Sequence, residues 1–436
     1  MKLPAHIRQC IDALENASFA AYAVGGCVRD SLLGLTPHDY DLCTNATPEQ
    51  IKQVFSAYPL VLSGEKHGTV SVVLQHQLVE ITTFRTEGGY TDSRHPDWVR
   101  FVPSIEEDLS RRDFTVNAMA FSPTRGFADP FGGRDDLKAK TLRAVGDPSA
   151  RFTEDALRIL RGVRFAVRYG LAVEPETEAA MLRLTPLMER LARERVFDEL
   201  CKLLPLVTAE DLLHYAPVLV QAIPELMPCV GFQQHSPHHA YDVFTHTAHV
   251  VEAMPPEPAL RLAALLHDIG KPAVFYRDET GRGHFPGHAA VGAEMANSIL
   301  YRLKASNALR CRVVALIQRH MTPLEPDKRI LRRRLSKYGI DVVRDLLALQ
   351  RADFGSKGVE EETRIFDRAE ALIGEILAEE ACLSLKDLAV DGRDLMALGF
   401  SGKAIGSCLS QLLELVLDEQ LPNEKEALLQ AARNFQ

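Results

Sequence analysis

The chain has 436 residues, of which 46% are hydrophobic and 25% are charged, and its formal net charge is −9. This length is about three times that of a common domain, so we expect several packed units. No stretch approaches the roughly 20 apolar residues that cross a bilayer, and the first residues lack the apolar run and cleavage site of a signal peptide. We therefore expect no membrane insertion and predict a cytoplasmic protein.

Eight cysteines are spread along the chain without a CxxC pair. This spacing predicts neither a thiolate zinc site nor a disulfide framework, so we expect reduced thiols with structural roles. The negative net charge argues against a protein coated with nucleic acid, but partner choice depends on local patches of charge. RNA therefore stays a candidate partner.

The first third of the chain alternates short strand-like segments with glycines, which predicts a mixed α/β unit. The predicted strands are Tyr22–Val24, Asp39–Cys43, Thr69–Leu74 and Leu78–Thr83. Beyond about Phe152 apolar residues recur at helical spacing, as in ALRILRGVRFAVR and RLAALLHDIG, so we expect the rest to be helical.

Two aspartates separated by one tyrosine occur in the stretch TPHDYDLCT. In a strand, Asp39 and Asp41 point to one face and Tyr40 points to the other, so the two carboxylates meet. Such a pair is stable when a hard divalent cation such as Mg²⁺ lies between its members, together with phosphate oxygens. The pattern therefore predicts a magnesium site that takes a phosphate-bearing substrate.

A glycine pair lies upstream of these acids in AVGGCVRDSLLGL. Gly25 and Gly26 before a helix, with Arg29 in its first turn, favour the binding of an anion by backbone N–H groups and a guanidinium. Alone, the glycines are more often a turn and the acids a solvated strand end. Combined within one short stretch, they predict a cradle for a nucleoside triphosphate.

The stretch GGCVRDSLLGLTPHDYDLCTNATPE resembles the signature of class II tRNA nucleotidyltransferases and bacterial poly(A) polymerases, which belong to the polymerase-β-like nucleotidyltransferase superfamily. The resemblance implies an α+β fold, with a nucleotidyltransferase head of mixed sheet and helices followed by an all-α neck, body and tail. It also implies in-line attack of an RNA 3′-hydroxyl on the α-phosphorus of CTP or ATP. Two Mg²⁺ ions near Asp39 and Asp41 would assist this attack.

Two further motifs of the family follow. VEITTFRTEGGYTDSRHPDWVRFV resembles its third-strand acid, Glu80, and a flexible loop around Glu87–Asp97. A strand-edge salt bridge is the alternative for Glu80. EEDLSRRDFTVNAMA resembles the motif that holds ribose and triphosphate, and the matching residues are Arg111, Arg112, Asp113 and Asn117. Capping preference offers the alternative that Asp113 is the N-cap of a solvated helix start.

The segment EDALRILRGVRFA resembles the nucleotide-reading helix of the family. Asp155 and Arg158 follow Glu154 and are three residues apart, so we predict that they share one helix face. A carboxylate that accepts from an exocyclic amine, beside a guanidinium that donates to ring atoms, would select C and A over U and G. The alternative is a helix salt bridge worth roughly 0.3 to 0.5 kcal/mol. Arg161 and Arg164 continue the predicted face, and the neck residues predicted to be structural are Glu194, Arg195 and Glu199.

A second set of histidines and aspartates lies in the helical part of the chain. A His-Asp doublet followed by Ile-Gly-Lys-Pro resembles the HD phosphohydrolase superfamily. The resemblance implies a first metal-binding set and two further ligands for a second ion, in the order His246, His267, Asp268 and Asp353, then His288 and His320. Imidazole and carboxylate ligands suit Mg²⁺, Mn²⁺, Ni²⁺ or Fe²⁺. The alternative is a degenerate remnant that only holds the fold.

The segment RILRRRLSKYG concentrates basic residues at helical spacing, namely Arg329, Arg332, Arg333, Arg334 and Lys337. This face suits RNA phosphates, with charge balance against the acidic tail as the alternative. The tail resembles the tRNA-binding segment of the family, in which Gly399–Gly406 would approach the acceptor and TΨC arm. Recognition of tRNA by shape is the mode we expect.

Together the motifs predict a CCA-adding tRNA nucleotidyltransferase with an HD domain. The predicted domains are a head over 1–146, a base-recognising neck over 147–206, a helical body with the HD domain over 207–370 and a tRNA-binding tail over 371–436. The alternatives are an A-adding enzyme or poly(A) polymerase, an HD phosphohydrolase whose head only binds RNA, and a non-catalytic tRNA-binding module. The sequence leaves open the HD metal and the oligomeric state.

Overall fold

The structure is a computed structural model, and it describes residues 1–88, 98–235, 241–356, 360–379 and 381–435. The chain divides into two compact units. The first comprises Met1–Val207 with His214–Pro224, and the second comprises Thr208–Leu213 with Glu225–Gln436. The finer division into four domains stays a prediction.

A mixed sheet forms the centre of the first unit. Its strands are β1 Ala21–Val24, β2 Asp41–Thr44, β3 Leu60–Val61, β4 Thr69–Leu74, β5 Gln77–Thr83, β8 Ala120–Ser122 and β9 Gly126–Ala128. Among the described residues the sheet has seven strands, in the order β3-β4-β5-β2-β1-β8-β9. A separate antiparallel pair consists of β6 Arg85–Gly88 and β7 Trp98–Phe101. Most of the predicted flexible loop lies between these two strands, outside the described residues.

The register of the sheet positions the residues of interest. Strands β1 and β2 are antiparallel and pair Val24 with Asp41, so the turn that follows β1 lies next to the start of β2. Strands β2 and β5 are parallel and pair Leu42 with Ile81, so Glu80 lies beside Asp41. Strand β2 begins at Asp41, two residues later than predicted. The prediction that Asp39 lies within the strand is therefore wrong.

Helices surround the sheet and continue to the end of the first unit. The helices are α1 Ala5–Asn16, α2 Gly26–Leu32, α3 Pro48–Val54, α4 Ile105–Ser110, α5 Gly133–Lys138, α6 Pro148–Glu154, α7 Leu157–Tyr169, α8 Pro175–Leu184 and α9 Arg193–Leu203, then α10 Ala209–His214, most of which belongs to the second unit, and α11 Ala216–Ala222. Apolar residues at helical spacing pack α1 onto the sheet, since Ile7, Ile11 and Leu14 are fully buried. A two-residue parallel pair, β10 Thr141–Leu142 and β11 Ala172–Val173, lies beside α7.

A break separates α6 from α7. Helix α6 ends at Glu154, Asp155 is extended with φ −145° and ψ 101°, and α7 begins at Leu157. The prediction that Asp155 and Arg158 share one helix face is therefore wrong, because the two residues do not belong to one helix.

The second unit is mainly helical. Its helices are α12 Val243–Ala253, α13 Pro258–Leu266, α14 Lys271–Val274, α15 His288–Arg302, α16 Asn307–Arg319, α17 Lys328–Tyr338, α18 Ile340–Gly355, α19 Glu360–Ala378, α20 Gly392–Ala397, α21 Lys403–Leu417 and α22 Lys425–Arg433. A short hairpin of β12 Tyr276–Arg277 and β13 Gly283–His284 interrupts them, so the expectation of helix alone beyond Phe152 is not fully met. Among the helices that the structure describes, none is long and apolar enough to cross a membrane.

The tail packs around a small core of its own. Leu388, Leu395, Leu412 and Leu428 are buried together there. Gly399 and Gly402 lie in the loop between α20 and α21 and have φ values of 98° and 54°, which glycine adopts without strain. The loop between α20 and α21 is thus shaped by its glycines.

Candidate active sites

Three carboxylates line one cavity in the first unit, which we call the acidic cavity. Asp39, Asp41 and Glu80 border a volume of about 630 Å³ together with His38 and Gln77. Asp39 reaches it from the segment before β2, while the neighbouring strands β2 and β5 supply the other two acids. Tyr40 also lines the cavity, so strict alternation of side chains does not hold before the strand begins.

The carboxylates of the acidic cavity repel one another. Partial burial raises the pKa of Asp41, the negative charges of Asp39 and Glu80 raise it further, and Arg112 lowers it. A divalent cation would remove this repulsion, and an oxygen-only donor set suits Mg²⁺. The residues present therefore fit a divalent metal ion.

The glycine turn lies against Arg112. Gly25 has a φ of 77°, and a Cβ added there would lie 2.8 Å from Arg112 Nη1. Its N–H donates to the carbonyl of Met119 at 2.9 Å, which fixes the turn to the start of β8. The Nε atom of Arg112 is buried without a hydrogen-bond partner among the described residues. The guanidinium of Arg112 is therefore the cation beside the turn that retains capacity for a ligand.

Arg29 is committed to contacts inside the protein. Its Nε and Nη2 donate to Asp30 Oδ1 at 2.9 and 2.7 Å, and its Nη1 donates to Asn117 Oδ1. The guanidinium also lies over the ring of Tyr169, 4.3 Å from its centroid. The sequence predicts that the Arg29 guanidinium helps to bind an anion. In the structure Arg29 is buried and its guanidinium instead holds Asn117.

Asp113 connects this region to α7. Its Oδ1 accepts from Asn117 Nδ2 at 3.0 Å, and its Oδ2 accepts from Arg161 Nε and Nη2 at 3.0 and 2.8 Å. Burial raises the pKa of Asp113, but Arg161 and Asn117 outweigh burial and bring it to about 2. Asp113 is buried, so the alternative of an N-cap at a solvated helix start is wrong.

Asp108 holds both arginines of the Arg-Arg-Asp motif, and the sequence did not single it out. This buried carboxylate lies 3.0 Å from Arg111 Nη2 and 3.5 Å from Arg112 Nη2. Asp108 lies on α4, three residues before Arg111 and four residues before Arg112. This helical spacing was the available signal in the sequence.

The two residues predicted to recognise the base, Asp155 and Arg158, are held by separate partners. Asp155 Oδ1 accepts from the Leu157 N–H at 3.0 Å, and Asp155 Oδ2 lies 2.8 Å from Arg195 Nη2. Arg158 Nη1 donates to Glu154 Oε2 at 2.8 Å, and Arg158 Nη2 donates to the carbonyl of Arg111 at 2.9 Å. The alternative of a salt bridge between Asp155 and Arg158 is therefore not what forms.

Arg161 and Arg164 of α7 contact Glu199 on α9. Arg164 Nε donates to Glu199 Oε2 at 2.6 Å, and both side chains are buried. Arg161 lies 3.9 Å from the other oxygen of Glu199. These contacts match the structural role expected for Glu199, whereas Glu194 is exposed.

Six side chains of the second unit converge on one point, which we call the His/Asp cluster: His246, His267, Asp268, His288, His320 and Asp353. They come from α12, α18, the turn after α13, and the facing ends of α15 and α16. His246 Nε2 lies 2.9 Å from Asp353 Oδ1, and His267 Nε2 lies 3.1 Å from Asp268 Oδ2. His288 Nε2 lies 3.5 Å from Asp268 Oδ1 and 3.1 Å from His320 Nε2.

The hydrogen bonds of the imidazoles assign their protons. The Nδ1 atoms of His267, His288 and His320 lie 2.7, 2.9 and 2.7 Å from backbone carbonyls, which only accept, so each Nδ1 carries the proton. The Nε2 atoms therefore face into the cluster, where His267 Nε2 lies 3.1 Å from Asp268 Oδ2 and His288 Nε2 lies 3.1 Å from His320 Nε2. Lone pairs that face one another and a carboxylate are the arrangement that a metal cation stabilises.

Burial keeps most of these histidines neutral. It lowers the pKa of His246 and of His288, and burial together with the charge of His267 lowers the pKa of His320 to about 4. Burial also lowers the pKa of His267, but Asp268 outweighs it and raises that pKa. Neutral imidazole is the form that binds metals, so the nitrogen-rich donor set fits a divalent transition metal.

Lys271 belongs to the same site, although the sequence analysis did not assign it a role. Its Nζ lies 2.7 Å from Asp268 Oδ2 and donates to Gln234 Oε1 at 2.8 Å. It is buried, so its charge is held at the edge of the cluster. Its place three residues after Asp268, in His-Asp-Ile-Gly-Lys, was the available signal.

The basic helix α17 faces acids of the tail. Arg333 Nη2 lies 2.6 Å from Asp418 Oδ2, and Arg332 contacts both Glu379 and Glu419. Arg329 lies 3.8 Å from Asp327, and Lys337 lies over the ring of Tyr338. These ion pairs match the alternative to RNA binding, in which the basic residues of α17 balance the acidic residues of the tail.

Three family models match parts of the chain. They describe a poly A polymerase head domain over residues 21–143, a probable RNA and SrmB-binding site of polymerase A over residues 170–216, and domain 2 of a tRNA nucleotidyltransferase over residues 288–432.

Curated relatives and solved structures agree with these matches. A CCA-adding enzyme of Limosilactobacillus fermentum is 49% identical over 197 residues, which cover 45% of this chain and 49% of the relative. The chain therefore spans about half the length of this and similar relatives. A CCA-adding enzyme of Latilactobacillus sakei subsp. sakei is 32% identical over 433 residues, which cover 97% of this chain and 96% of the relative.

The crystal structure of the Bacillus stearothermophilus CCA-adding enzyme in complex with CTP is similar over 100% of this chain and 98% of that chain, with a TM-score of 0.73 and 28% identity. The Thermotoga maritima enzyme complexed with tRNA shares the fold, with a TM-score of 0.60 and 22% identity over 98% of this chain and 94% of that chain. The near full-length match to the Latilactobacillus protein shows that this chain belongs to the family of class II CCA-adding enzymes.

Proposed function

We propose that this protein adds C, C and A to the 3′ end of tRNA, using CTP and ATP as substrates. The observation that carries the proposal is the meeting of Asp39, Asp41 and Glu80 at one cavity, beside the Gly25 turn. Membership of the CCA-adding family favours full CCA addition over the alternatives, an A-adding enzyme or a poly(A) polymerase. The intact acids argue against a head that only binds RNA.

The chain's own residues would hold the two ends of the nucleotide. Arg112 is suited to bind the triphosphate, because its guanidinium lies against the Gly25 turn and its contact with Asp108 is long, at 3.5 Å. Asn117, held between Arg29 and Asp113, is suited to the ribose. Asp155 would accept from the amino group of C or A, and Arg158 would donate to the ring. Mg²⁺ bound by Asp39, Asp41 and Glu80 would activate the RNA hydroxyl and neutralise the triphosphate.

The tail and the neck would contact the tRNA. The segment Gly399–Gly406, which includes the N-terminus of α21 with Lys403, offers backbone N–H groups and a positive charge to a phosphate. We keep the four predicted domains, 1–146, 147–206, 207–370 and 371–436, as part of this proposal.

The test uses tRNA that lacks the last three, two or one nucleotides, incubated with each nucleotide separately. We expect C on the first two RNAs and A on the third. Incorporation of U or G, or growth of long A tails, would overturn the assignment. Asp135→Asn, which changes an exposed acid of the same unit outside the cavity, is the matched control for Asp39→Asn.

We also propose a metal-dependent phosphohydrolase activity at the His/Asp cluster. The observation that carries it is the set of Nδ1-protonated imidazoles whose Nε2 atoms face one another. His246, His267, Asp268 and Asp353 would hold one ion, with His288 and His320 available for a second. A bound Ni²⁺ or Mn²⁺ would supply a nucleophilic water at neutral pH and polarise a phosphate oxygen. Lys271 would donate to a phosphate oxygen from the cluster edge.

The test of this activity is hydrolysis of phosphomonoesters and 2′,3′-cyclic phosphates with each metal supplied in turn. Activity that survives Asp39→Ala but is lost in His267→Ala would support an independent site. Activity that disappears in Asp39→Ala and persists in His267→Ala would contradict it.

A further inference from the structure

Tyr169, the last residue of α7, contacts α2, the helix that begins at the glycine turn. Its hydroxyl donates to Asp30 Oδ1 at 3.1 Å, and its ring centroid lies 4.3 Å from the Arg29 guanidinium. We propose that Tyr169 and Asp30 are positioning residues that orient Asn117 toward the ribose 2′-hydroxyl of the incoming nucleotide. They thereby set the preference for ribonucleotides over 2′-deoxynucleotides. The inference rests on the proposed nucleotide addition and deepens it, because it names the residues that select the sugar.

One carboxylate oxygen of Asp30 accepts three hydrogen bonds. Arg29 Nε and Nη2 donate to Oδ1 at 2.9 and 2.7 Å, and the Tyr169 hydroxyl is the third donor. Only 7% of the Arg29 side chain and 14% of the Asp30 side chain are exposed, so solvent weakens these bonds little. Burial raises the pKa of Tyr169, Arg29 opposes this shift and Asp30 adds to it, so the hydroxyl keeps the proton that it donates.

Two aromatic rings of α7 add contacts to the same guanidinium. Arg29 Cζ lies 4.3 Å from the ring centroid of Tyr169 and 5.3 Å from that of Phe165, within the range at which a ring face attracts a cation. The two rings are stacked, with an interplanar angle of 23°. The guanidinium is thus restrained by hydrogen bonds in its own plane and by the rings beside it.

The restrained guanidinium sets the orientation of the Asn117 amide. Arg29 Nη1 donates to Asn117 Oδ1, and Asn117 Nδ2 donates to Asp113 Oδ1 at 3.0 Å. Turning the amide by half a rotation would place two donors together at Arg29 and two acceptors together at Asp113, so the orientation is fixed. Asn117 is buried, and each polar atom of its amide keeps one further hydrogen-bonding position. A ribose 2′-hydroxyl, which both donates and accepts, fits these positions.

The choice of sugar depends on this fixed amide. A site that is built to bind a substrate hydroxyl rejects an analogue without it, because buried polar groups are then left unpaired. An amide that moves with a loosened Arg29 loses this discrimination. The contacts proposed for the triphosphate at Arg112 do not involve Tyr169, so loosening Arg29 affects the sugar more than the phosphates.

The first measurement is addition of C to tRNA that lacks its last three nucleotides, from CTP and from dCTP. In Tyr169→Phe, which keeps the ring and removes the hydroxyl, we expect the ratio of kcat/KM for CTP to that for dCTP to fall about fivefold, the effect of one hydrogen bond. The loss should lie mainly in the KM for CTP, while addition of dCTP stays within about twofold. Tyr169→Leu also removes the ring beside Arg29 and should lower the ratio by about tenfold or more.

Tyr58→Phe is the matched control. The hydroxyl of Tyr58 accepts one hydrogen bond from Gln9 Nε2, also at 3.1 Å, in the same unit and outside the acidic cavity. The ratio for CTP over dCTP should not change in this variant. An equal fall in the ratio in Tyr58→Phe and Tyr169→Phe would overturn the inference, because the effect would then not depend on Asp30.

A double substitution tests whether the two positioning residues act through one hydrogen bond. Asp30→Ala removes the acceptor, and we expect the ratio to fall at least as far as in Tyr169→Phe. Adding Tyr169→Phe to Asp30→Ala should lower the ratio no further, because the hydroxyl has already lost its partner. A further fall of about fivefold in the double variant would overturn the joint role.

The outcomes separate this inference from the proposed function. An unchanged ratio in Tyr169→Phe, or equal losses for CTP and dCTP, would overturn the inference, since equal losses mean a merely structural role. Calorimetry of CTP and dCTP binding with Mg²⁺ and without tRNA gives a readout that does not depend on addition. If Tyr169→Phe reduces the preference for CTP in binding but no nucleotide is added to any tRNA, the positioning role stands and the proposed CCA addition fails.

Discussion

The acidic cavity and the His/Asp cluster both gather side chains that suit a divalent cation, and they differ in donor type and exposure. The acidic cavity offers carboxylate oxygens that solvent reaches, so substrate phosphates and water have room to complete a magnesium shell. The His/Asp cluster offers mainly buried imidazole nitrogens whose protons are fixed by backbone carbonyls. The first arrangement favours a metal that arrives with its nucleotide, and the second favours a resident ion.

The largest expected effect is loss of nucleotide addition on removal of a cavity acid. We expect Asp39→Ala to reduce addition of C to truncated tRNA by at least about 1,000-fold, because metal stabilisation of the transition state is worth several kcal/mol. Binding of tRNA, measured by gel shift, should stay unchanged. Retained addition of C would mean that the acidic cavity does not hold the catalytic metal.

The second expected effect concerns the resident ion. We expect His267→Ala to lose its bound metal, measured by mass spectrometry of the purified protein, and to lose phosphohydrolase activity by about 100-fold or more. Nucleotide addition should stay within about twofold of the unchanged protein. A variant that keeps its metal would mean that the cluster does not hold a resident ion.

A third experiment tests whether the buried charge of Asp113, paired with Arg161, stabilises the fold. The pKa of Asp113 falls from 3.8 to about 2 on folding. Its contribution to the free energy of unfolding, about 2 kcal/mol, is therefore present above pH 4 and lost as the pH falls toward 2. We expect Asp113→Asn to be less stable at pH 7 by about this amount and to approach the unchanged protein near pH 2.

Urea unfolding at several pH values, followed by circular dichroism, measures this difference. Other carboxylates titrate in the same range, so the difference between the two proteins is the informative quantity. A difference that does not change between pH 5 and pH 2 would show that the ion pair with Arg161 contributes nothing through its charge.

The smallest expected effect concerns the phosphate contact. We expect Arg112→Ala to raise the KM for CTP about tenfold, since a charged hydrogen bond contributes about 1.5 to 3 kcal/mol. Arg125, which pairs with Glu15 away from the cavity, supplies the control variant Arg125→Ala. Equal KM values for CTP in both variants would remove Arg112 from the proposed site.

Local spacing predicted much of both sites. The aspartates around Tyr40 and the glycines before α2 lie next to each other in the sequence, so short-range rules were sufficient to find them. The His/Asp cluster was found from motif resemblance, although its residues extend from His246 to Asp353. What these residues have in common is chemistry that no apolar core requires.

Contacts that depend on tertiary structure were missed. The spacing of Asp155 and Arg158 predicts one helix face, but Asp155 lies in the break between α6 and α7, where it accepts from the Leu157 N–H and pairs with Arg195. Arg29 follows a glycine turn as an anion-binding residue would, but packing against Tyr169 buries it. Arg332 and Arg333 of α17 likewise pair with acids that are distant in the sequence.

Arg29, Asn117, Asp113 and Arg161 form one continuous series of hydrogen bonds from the glycine turn to α7. The end of the head that would receive phosphates and the helix that would read the base are therefore mechanically joined through polar groups buried in a single unit. A nucleotide with the wrong base or phosphates would disturb both ends of this series at once. We therefore expect a substitution at Asp113, midway along this series, to alter nucleotide choice.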